Sequence, residues 1–268
     1  MNVSVIIVSY NTRSLLKQCL ESIYRNTAGL QYEVIVVDNN SADDSGKMVL
    51  EDFPAANLIL NTENEGFAKA NNRGFGCSRG DNLLFLNSDT IITNNALKYL
   101  TDYLQKHSAV GVVGPKLVTP DGAPTQSYQR FEDVSKLYLG TECLRHFLDV
   151  KKYRMHYPHY QFVTDREVEW LSGAALAIKR HVFEQVGKWD ENYFLYYEDM
   201  DLCLQVKRAG YTVMYHPAAE IVHLFGRSAR HTYGLKKIKI KSQRYYFKKN
   251  HTKTAYILAA LYTILRTL

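Results

Sequence analysis

Apolar positions in the first 115 residues fall into two alternating rhythms. Continuous runs at 3–8 (VSVIIV) and 33–37 (EVIVV) read as strands buried on both faces. Between them Leu15, Leu16, Cys19, Leu20, Ile23 and Tyr24 recur at helical spacing. Residues 43–51 read as a helix with Ser41 as its N-cap. A short strand at 58–60, a helix over 67–77 and a strand at 82–86 continue the pattern. Asn94 or Asn95 is placed to cap a helix whose core face is Leu97, Leu100 and Leu104, and 110–113 is a further strand. Strands separated by helices imply right-handed crossovers and a parallel sheet.

Past Lys116 the alternation stops. Pro120-Asp121-Gly122 is a turn, and 126–160 is aromatic and basic, with a helix expected over 133–148. A strand pair is expected near 168–178, broken at Ser172-Gly173. Residues 198–209 read as a helix stopped by Gly210, and 212–215 and 220–223 as short strands. Two helices end the chain. The first carries Leu235, Ile238, Ser242 and Tyr245 on one face and a stripe of Lys237, Lys241, Arg244 and Lys248 beside it. In the second, Ile257, Leu258, Leu261, Ile264, Leu265 and Leu268 form an apolar face. The expected division is a main domain over 1–230, with halves of about 1–115 and 116–230, and a basic helical tail over 231–268.

Charge sharpens that division. Residues 221–268 hold 11 basic groups and no acid, while residues 1–220 hold 22 basic and 27 acidic groups, net −5. The total of +6 therefore conceals a basic tail on a mildly acidic body. Hydrophobic residues at 46% suffice for a core and exclude a disordered chain. Cys19, Cys77, Cys143 and Cys203 form no C-x-x-C pair, which argues against a zinc module or disulfide scaffold and for reduced, cytosolic thiols. The opening apolar run is too short for a signal peptide, and no stretch has the roughly 20 apolar residues of a membrane span.

In open α/β sheets, ligands bind beyond the carboxyl ends of the strands. Three such ends are polar here: Ser9-Tyr10-Asn11, Asp38-Asn39-Asn40-Ser41 and Asn87-Ser88-Asp89. Asp89 is placed to hold a divalent cation on a diphosphate, or simply to bond in its own turn. Asp38 can accept from a base or ribose, or close an Asx-turn. Glu198 and Asp199 open a helix after the run Tyr193–Tyr197, where the helix dipole alone favours acids. Aromatic neighbours there would desolvate a carboxylate into general-base range. Trp170 followed by Gly173 and Ala174 fits either a sugar-stacking surface or core packing. His223 ends a strand where body meets tail, ahead of Arg227. No G-x-G-x-x-G follows a strand, so a dinucleotide fingerprint is not supported.

Seven segments in this order resemble family 2 glycosyltransferases and lie closest in pattern to the rhamnosyltransferase branch. They are SVIIVSYN (4–11), VVDNNSADD (36–44), NEGFAKANNRG (64–74), FLNSDT (85–90), WLSGAALAIKR (170–180), YFLYYEDMDLCLQVKRAG (193–210) and HLFGRS (223–228). The resemblance implies a GT-A fold: a Rossmann-like, mostly parallel α/β sheet with an irregular acceptor half. It implies that Ser9, Tyr10, Asn11, Asp38, Asn71, Asn72 and Ser88 surround a nucleotide-sugar donor. Asp89 and His223 would hold Mg²⁺ or Mn²⁺, although the first acid of the family's D-x-D-type motif is Asn87 here. Arg227 would meet the diphosphate, and Trp170, Gly173 and Ala174 the acceptor. Asp199 would be the base of an inverting transfer, supported by Glu198.

A glycan or lipid-linked acceptor in surface polysaccharide synthesis is implied. The basic tail then reads as contact with an anionic membrane, peripheral on its cytoplasmic face, at about 1 kcal/mol per Lys or Arg. A solvated face with a packing or dimerising helix is the competing account of the tail. Nucleic acid is disfavoured, since no binding motif accompanies the charge. A sugar-phosphate nucleotidyltransferase would carry a Gly-rich basic loop after strand one, which Ser9-Tyr10-Asn11-Thr12 lacks. A non-catalytic membrane-surface protein would need only the tail.

Overall fold

A computed structural model describes residues 1–132, 162–224 and 234–265. The helix expected over 133–148 and Arg227 lie outside the described residues. Nine strands of the described chain form one sheet, built outward from β1 (Val3–Ser9). β1 pairs in parallel with β2 (Tyr32–Asp38) and β4 (Asn82–Asn87), and β2 with β3 (Asn57–Leu60). β10 (Ala175–Lys179) then runs antiparallel between β4 and β6 (Val110–Val118). β11 (Thr212–His223) lies parallel to β6 and pairs antiparallel with β5 (Thr90–Ile92) and β8 (Arg166–Glu167).

Both faces of the sheet are covered, as the unbroken apolar runs require. One face carries α1 (Arg13–Asn26), α2 (Ser45–Asp52) and α4 (Ala96–Lys106) against Val5, Ile7, Leu84 and Leu86. The other packs α3 (Gly66–Gly76), α5 (Arg180–Gln185) and α6 (Glu198–Arg208) against Ile6, Phe85 and Ile178. The terminal helices α7 (Leu235–Asn250) and α8 (Lys253–Leu265) join this second layer: Tyr246, Phe247, Ala259 and Tyr262 are buried in the same core. The basic helix is thus fastened to the body along one face, while Lys237, Lys241 and Lys248 stay exposed on the other.

Four local expectations change. The pair at 168–178 is two strands in different sheets. β9 (Trp170–Leu171) pairs with β7 (Tyr128–Gln129), and β10 enters the main sheet. The two strands at 212–215 and 220–223 are one, with a register shift between His216 and Glu220. Pro217 has no N–H for the ladder there. Asn94 spans the irregularity, donating to Ala218 O at 2.8 Å and accepting from Glu220 N at 3.3 Å, so it does not cap α4. Asn95 occupies the N-cap position of α4 without a side-chain cap bond. Ser41 does not cap α2: Asp44 stands at that position, and Ser41 bonds Asp38 and Asn11 instead.

Candidate active site

Because β1, β2 and β4 are parallel and in register (Ser9 opposite Asp38, Val8 opposite Asn87), their polar ends meet at one edge. β11 shares that direction and brings His223 opposite Thr90. β10 runs the other way, so its entry, Ser172-Gly173-Ala174, reaches the same edge. A cleft of about 390 Å³ opens there. Tyr10, Ser88, Gly173, Ala174, Glu198, Asp199 and His223 all line it.

The strand ends are cross-braced. Thr12 Oγ1 lies 2.8 Å from Ser9 Oγ and donates to Ser88 Oγ at 3.0 Å, joining β1 to β4. Asn11, at φ 54°, accepts from Ala42 N at 2.7 Å and donates its own N–H to Ser41 Oγ at 2.9 Å. Asp38 accepts from Ser41 N through Oδ2 at 3.0 Å. Its buried Oδ1 has no hydrogen-bond partner among the described residues, a carboxylate oxygen available to a donor group. Asn39, on the cleft wall, donates to Gly66 O and accepts from Asn61.

The acid pair opens α6. Asp199 accepts from Gly173 N through Oδ2 at 2.9 Å and from Met200 N through Oδ1 at 2.9 Å. Gly173 permits this approach: a Cβ there would lie 3.3 Å from Asp199 Cβ. Burial raises the Asp199 carboxyl above its ordinary range, against the lowering effect of those N–H donors and of Lys239. Glu198, 6% exposed, is pushed well above the carboxylate range by burial and then by the charge of Asp199. Its Oε2 has no hydrogen-bond partner among the described residues.

The turn feeding α6 is strained. Tyr196 (φ 71°) and Tyr197 (φ 72°) are consecutive left-handed residues, costing about 1–2 kcal/mol each. Just before them, Phe194 O accepts from Phe67 N at 2.7 Å. Gly66, at φ +80°, makes room for that contact: a Cβ there would sit 2.4 Å from Phe194 O.

Asp89 is fully buried, and its Oδ1 lies 3.4 Å from His223 Nε2. Asp89 and His223 would hold a divalent cation there only with phosphate oxygens or water supplying its other ligands. No cluster of three or more His, Cys, Asp or Glu able to hold a metal occurs among the described residues.

Other expected positions lie off the cleft wall. Asn71 donates to Phe67 O within α3. Asn72 donates to Trp189 O and Glu191 Oε1 and accepts from Trp189 N, tying α3 to the segment after α5. Trp170 is core: the residue is 9% exposed and its Nε1–H donates to Arg130 O at 2.9 Å. Ser9 and Asp38 are not part of the cleft wall: Ser9 braces Thr12, and Asp38 holds Ser41 N through Oδ2 while its Oδ1 stays open to a donor group at the strand end. Asn39, Phe67, Phe194 and Tyr196 also line the cleft; the sequence places Asn39 at a polar strand end and Phe194 and Tyr196 in the aromatic run, and assigns none of the four a role of its own.

The glycosyl transferase family 2 model matches residues 4–187. The chain belongs to that family. Among its relatives, an N-acetylglucosaminyl-diphospho-decaprenol L-rhamnosyltransferase of Mycobacterium tuberculosis is 28% identical over 231 residues, 82% of this chain and 75% of that one. Rhamnosyltransferase WbbL of Escherichia coli is 26% identical over 229 residues, 82% of this chain and 83% of that one. The family 2 chain therefore sits close to the rhamnosyltransferase branch. GalNAc-T7, solved with UDP, GalNAc and Mn²⁺, superposes with a TM-score of 0.63 at 18% identity over 83% of this chain, which spans 43% of that one. That likeness establishes the GT-A fold.

The acid pair predicts a pH signature in stability. Glu198 binds its proton more tightly folded than unfolded, so unfolding free energy falls as pH rises from the ordinary value of about 4.3 through the raised one. Glu198→Gln removes this contribution, and the variant's advantage over wild type should grow across that window in denaturant titrations. Parallel curves would contradict the assignment.

Proposed function

We propose that this family 2 glycosyltransferase moves a sugar, with rhamnose the first donor to test, from a nucleoside diphosphate to a glycan or lipid-linked acceptor. The synthesis of a surface polysaccharide is the setting this reading assigns. The names of its rhamnosyltransferase relatives support the donor. One observation carries the mechanism: a carboxylate held by two backbone N–H groups, Asp199, shares a cleft with the polar strand ends. In this reading Tyr10 and Asp38 bind the nucleoside and Ser88 lies beside the donor. Asn71 and Asn72 act only by holding α3. Gly173 and Ala174 border the acceptor, and Trp170 supports them from the core.

Asp199 then takes the proton of the acceptor hydroxyl as that oxygen attacks the anomeric carbon, and the nucleoside diphosphate leaves from the opposite face. The raised carboxyl matches that role better than an ordinary aspartate would. Glu198, whose carboxyl is raised well above the ordinary range by burial and by the charge of Asp199, limits the negative charge of the pair. Asp89 and His223 would hold Mg²⁺ or Mn²⁺, which supplies positive charge to the departing diphosphate. Mn²⁺ in the GalNAc-T7 structure supports that choice. The test is Asp199→Asn. It should keep its fold and nucleotide affinity and lose turnover by at least about 100-fold. Turnover near wild type would remove Asp199 as the base.

A second observation favours a membrane-side acceptor. Ile257, Leu258 and Leu261 are exposed on α8, and Lys237, Lys241 and Lys248 are exposed on the preceding helix α7. No helix among the described residues is long and apolar enough to cross a membrane. We read the two helices as a peripheral contact with an anionic leaflet on its cytoplasmic side. Ile257→Ser with Leu261→Ser should weaken sedimentation with anionic vesicles by about 10-fold or more. Unchanged binding, or a dimer in solution with no vesicle binding, would replace the membrane reading.

A further inference from the structure

The left-handed pair Tyr196-Tyr197 sets where α6 begins, and therefore where Glu198 and Asp199 point. Two bulky residues keep that conformation only when their surroundings over-determine it. Much of that surrounding comes from α7, nearly fifty residues later. Ser242 Oγ donates to Leu195 O at 2.8 Å. Gln243 Nε2 donates to Tyr197 OH at 2.7 Å and to Glu132 Oε2 at 3.1 Å, and Tyr197 OH donates to the same Glu132 oxygen at 2.7 Å. This closes a triangle around the tyrosine hydroxyl. The Tyr246 ring lies 5.6 Å from that of Tyr197. At the far end of α7, Lys249 and Asn250 each bond Asp201 at 2.7 Å, in the first turn of α6. α7 therefore grips both sides of the acid pair, while Asp199 has its Gly173 contact at 2.9 Å with little room for error.

We infer that Ser242 and Gln243 are positioning residues for Asp199, so that the basic C-terminal helix is part of the catalytic apparatus as well as a surface. The inference rests on the reading of Asp199 as the base. Without the Gln243 amide, Tyr197 loses one of the two partners of its hydroxyl. The turn is then free to relax toward ordinary backbone, carrying the start of α6 with it. The hydrogen bonds of Ser242 and Gln243 go to Leu195, Tyr197 and Glu132 at the acid-pair side of the cleft, so their loss is expected to fall on kcat more than on donor KM.

The test is a double-mutant cycle in the full chain with Gln243→Ala, Tyr197→Phe and both together, reading kcat, donor KM and thermal unfolding. The expected result is a kcat lowered by about 10-fold or more in each single variant, with donor KM within about two-fold. The double variant should be little worse than the poorer single, because both act through one contact. A kcat within two-fold of wild type in folded Gln243→Ala would overturn the inference, as would multiplicative losses in the double variant. Should Gln243→Ala fail to fold, Ser242→Ala against Ser242→Thr decides: loss of kcat restored by the hydroxyl supports positioning, and equal kcat in both refutes it. Asp199→Asn is measured alongside. Its turnover surviving would remove the base reading itself. Its inactivity with normal Gln243→Ala would remove only the positioning inference.

Discussion

The hydrogen bonds from Gly173 and Met200 N–H to the Asp199 carboxylate are the contacts on which the rest of the site turns. They demand that two pieces of chain 26 residues apart arrive together: the entry of β10, and the start of α6 with the left-handed turn that feeds it. A carboxylate drawn away from water would otherwise protonate or pull back toward solvent. The two backbone donors favour the charged carboxylate, and burial opposes them by raising its affinity for a proton. The strained tyrosine turn, the Gly66 contact with Phe194 O and the grip of α7 all serve that placement.

The antiparallel strand brings a second wall to the sheet edge at which the parallel strands end. The parallel strands deliver their C-terminal ends to the cleft. β10, reversed between β4 and β6, delivers its N-terminal entry to the same edge. Small residues make this possible. Ala175 and Ala177 pack on the α4 side, while Leu176 and Ile178 fill the other core.

Much of this was legible in the residues. The β-branched runs marked buried strands, and polar strand ends marked the crevice, because period and placement are local properties. Asp199 and His223 stood out for their position after an aromatic run and a strand. What stayed hidden depends on contacts far apart in the chain. Tyr196 and Tyr197 carry no glycine to announce a positive φ, and Gln243 meets Tyr197 across 46 positions. Asn72 and Trp170 fitted motif positions, yet their polar atoms are spent on the fold, on Trp189 and on Arg130 O. The charge break at residue 220 marked a tail, but not that its inner face is core.

The central claim is that Asp199 activates the acceptor for a single displacement at the anomeric carbon. Its most direct test is the anomeric configuration of the transferred sugar, read by NMR on the product made from a nucleoside-diphosphate sugar. A single displacement predicts a product inverted relative to the donor. A product with retained configuration would contradict it.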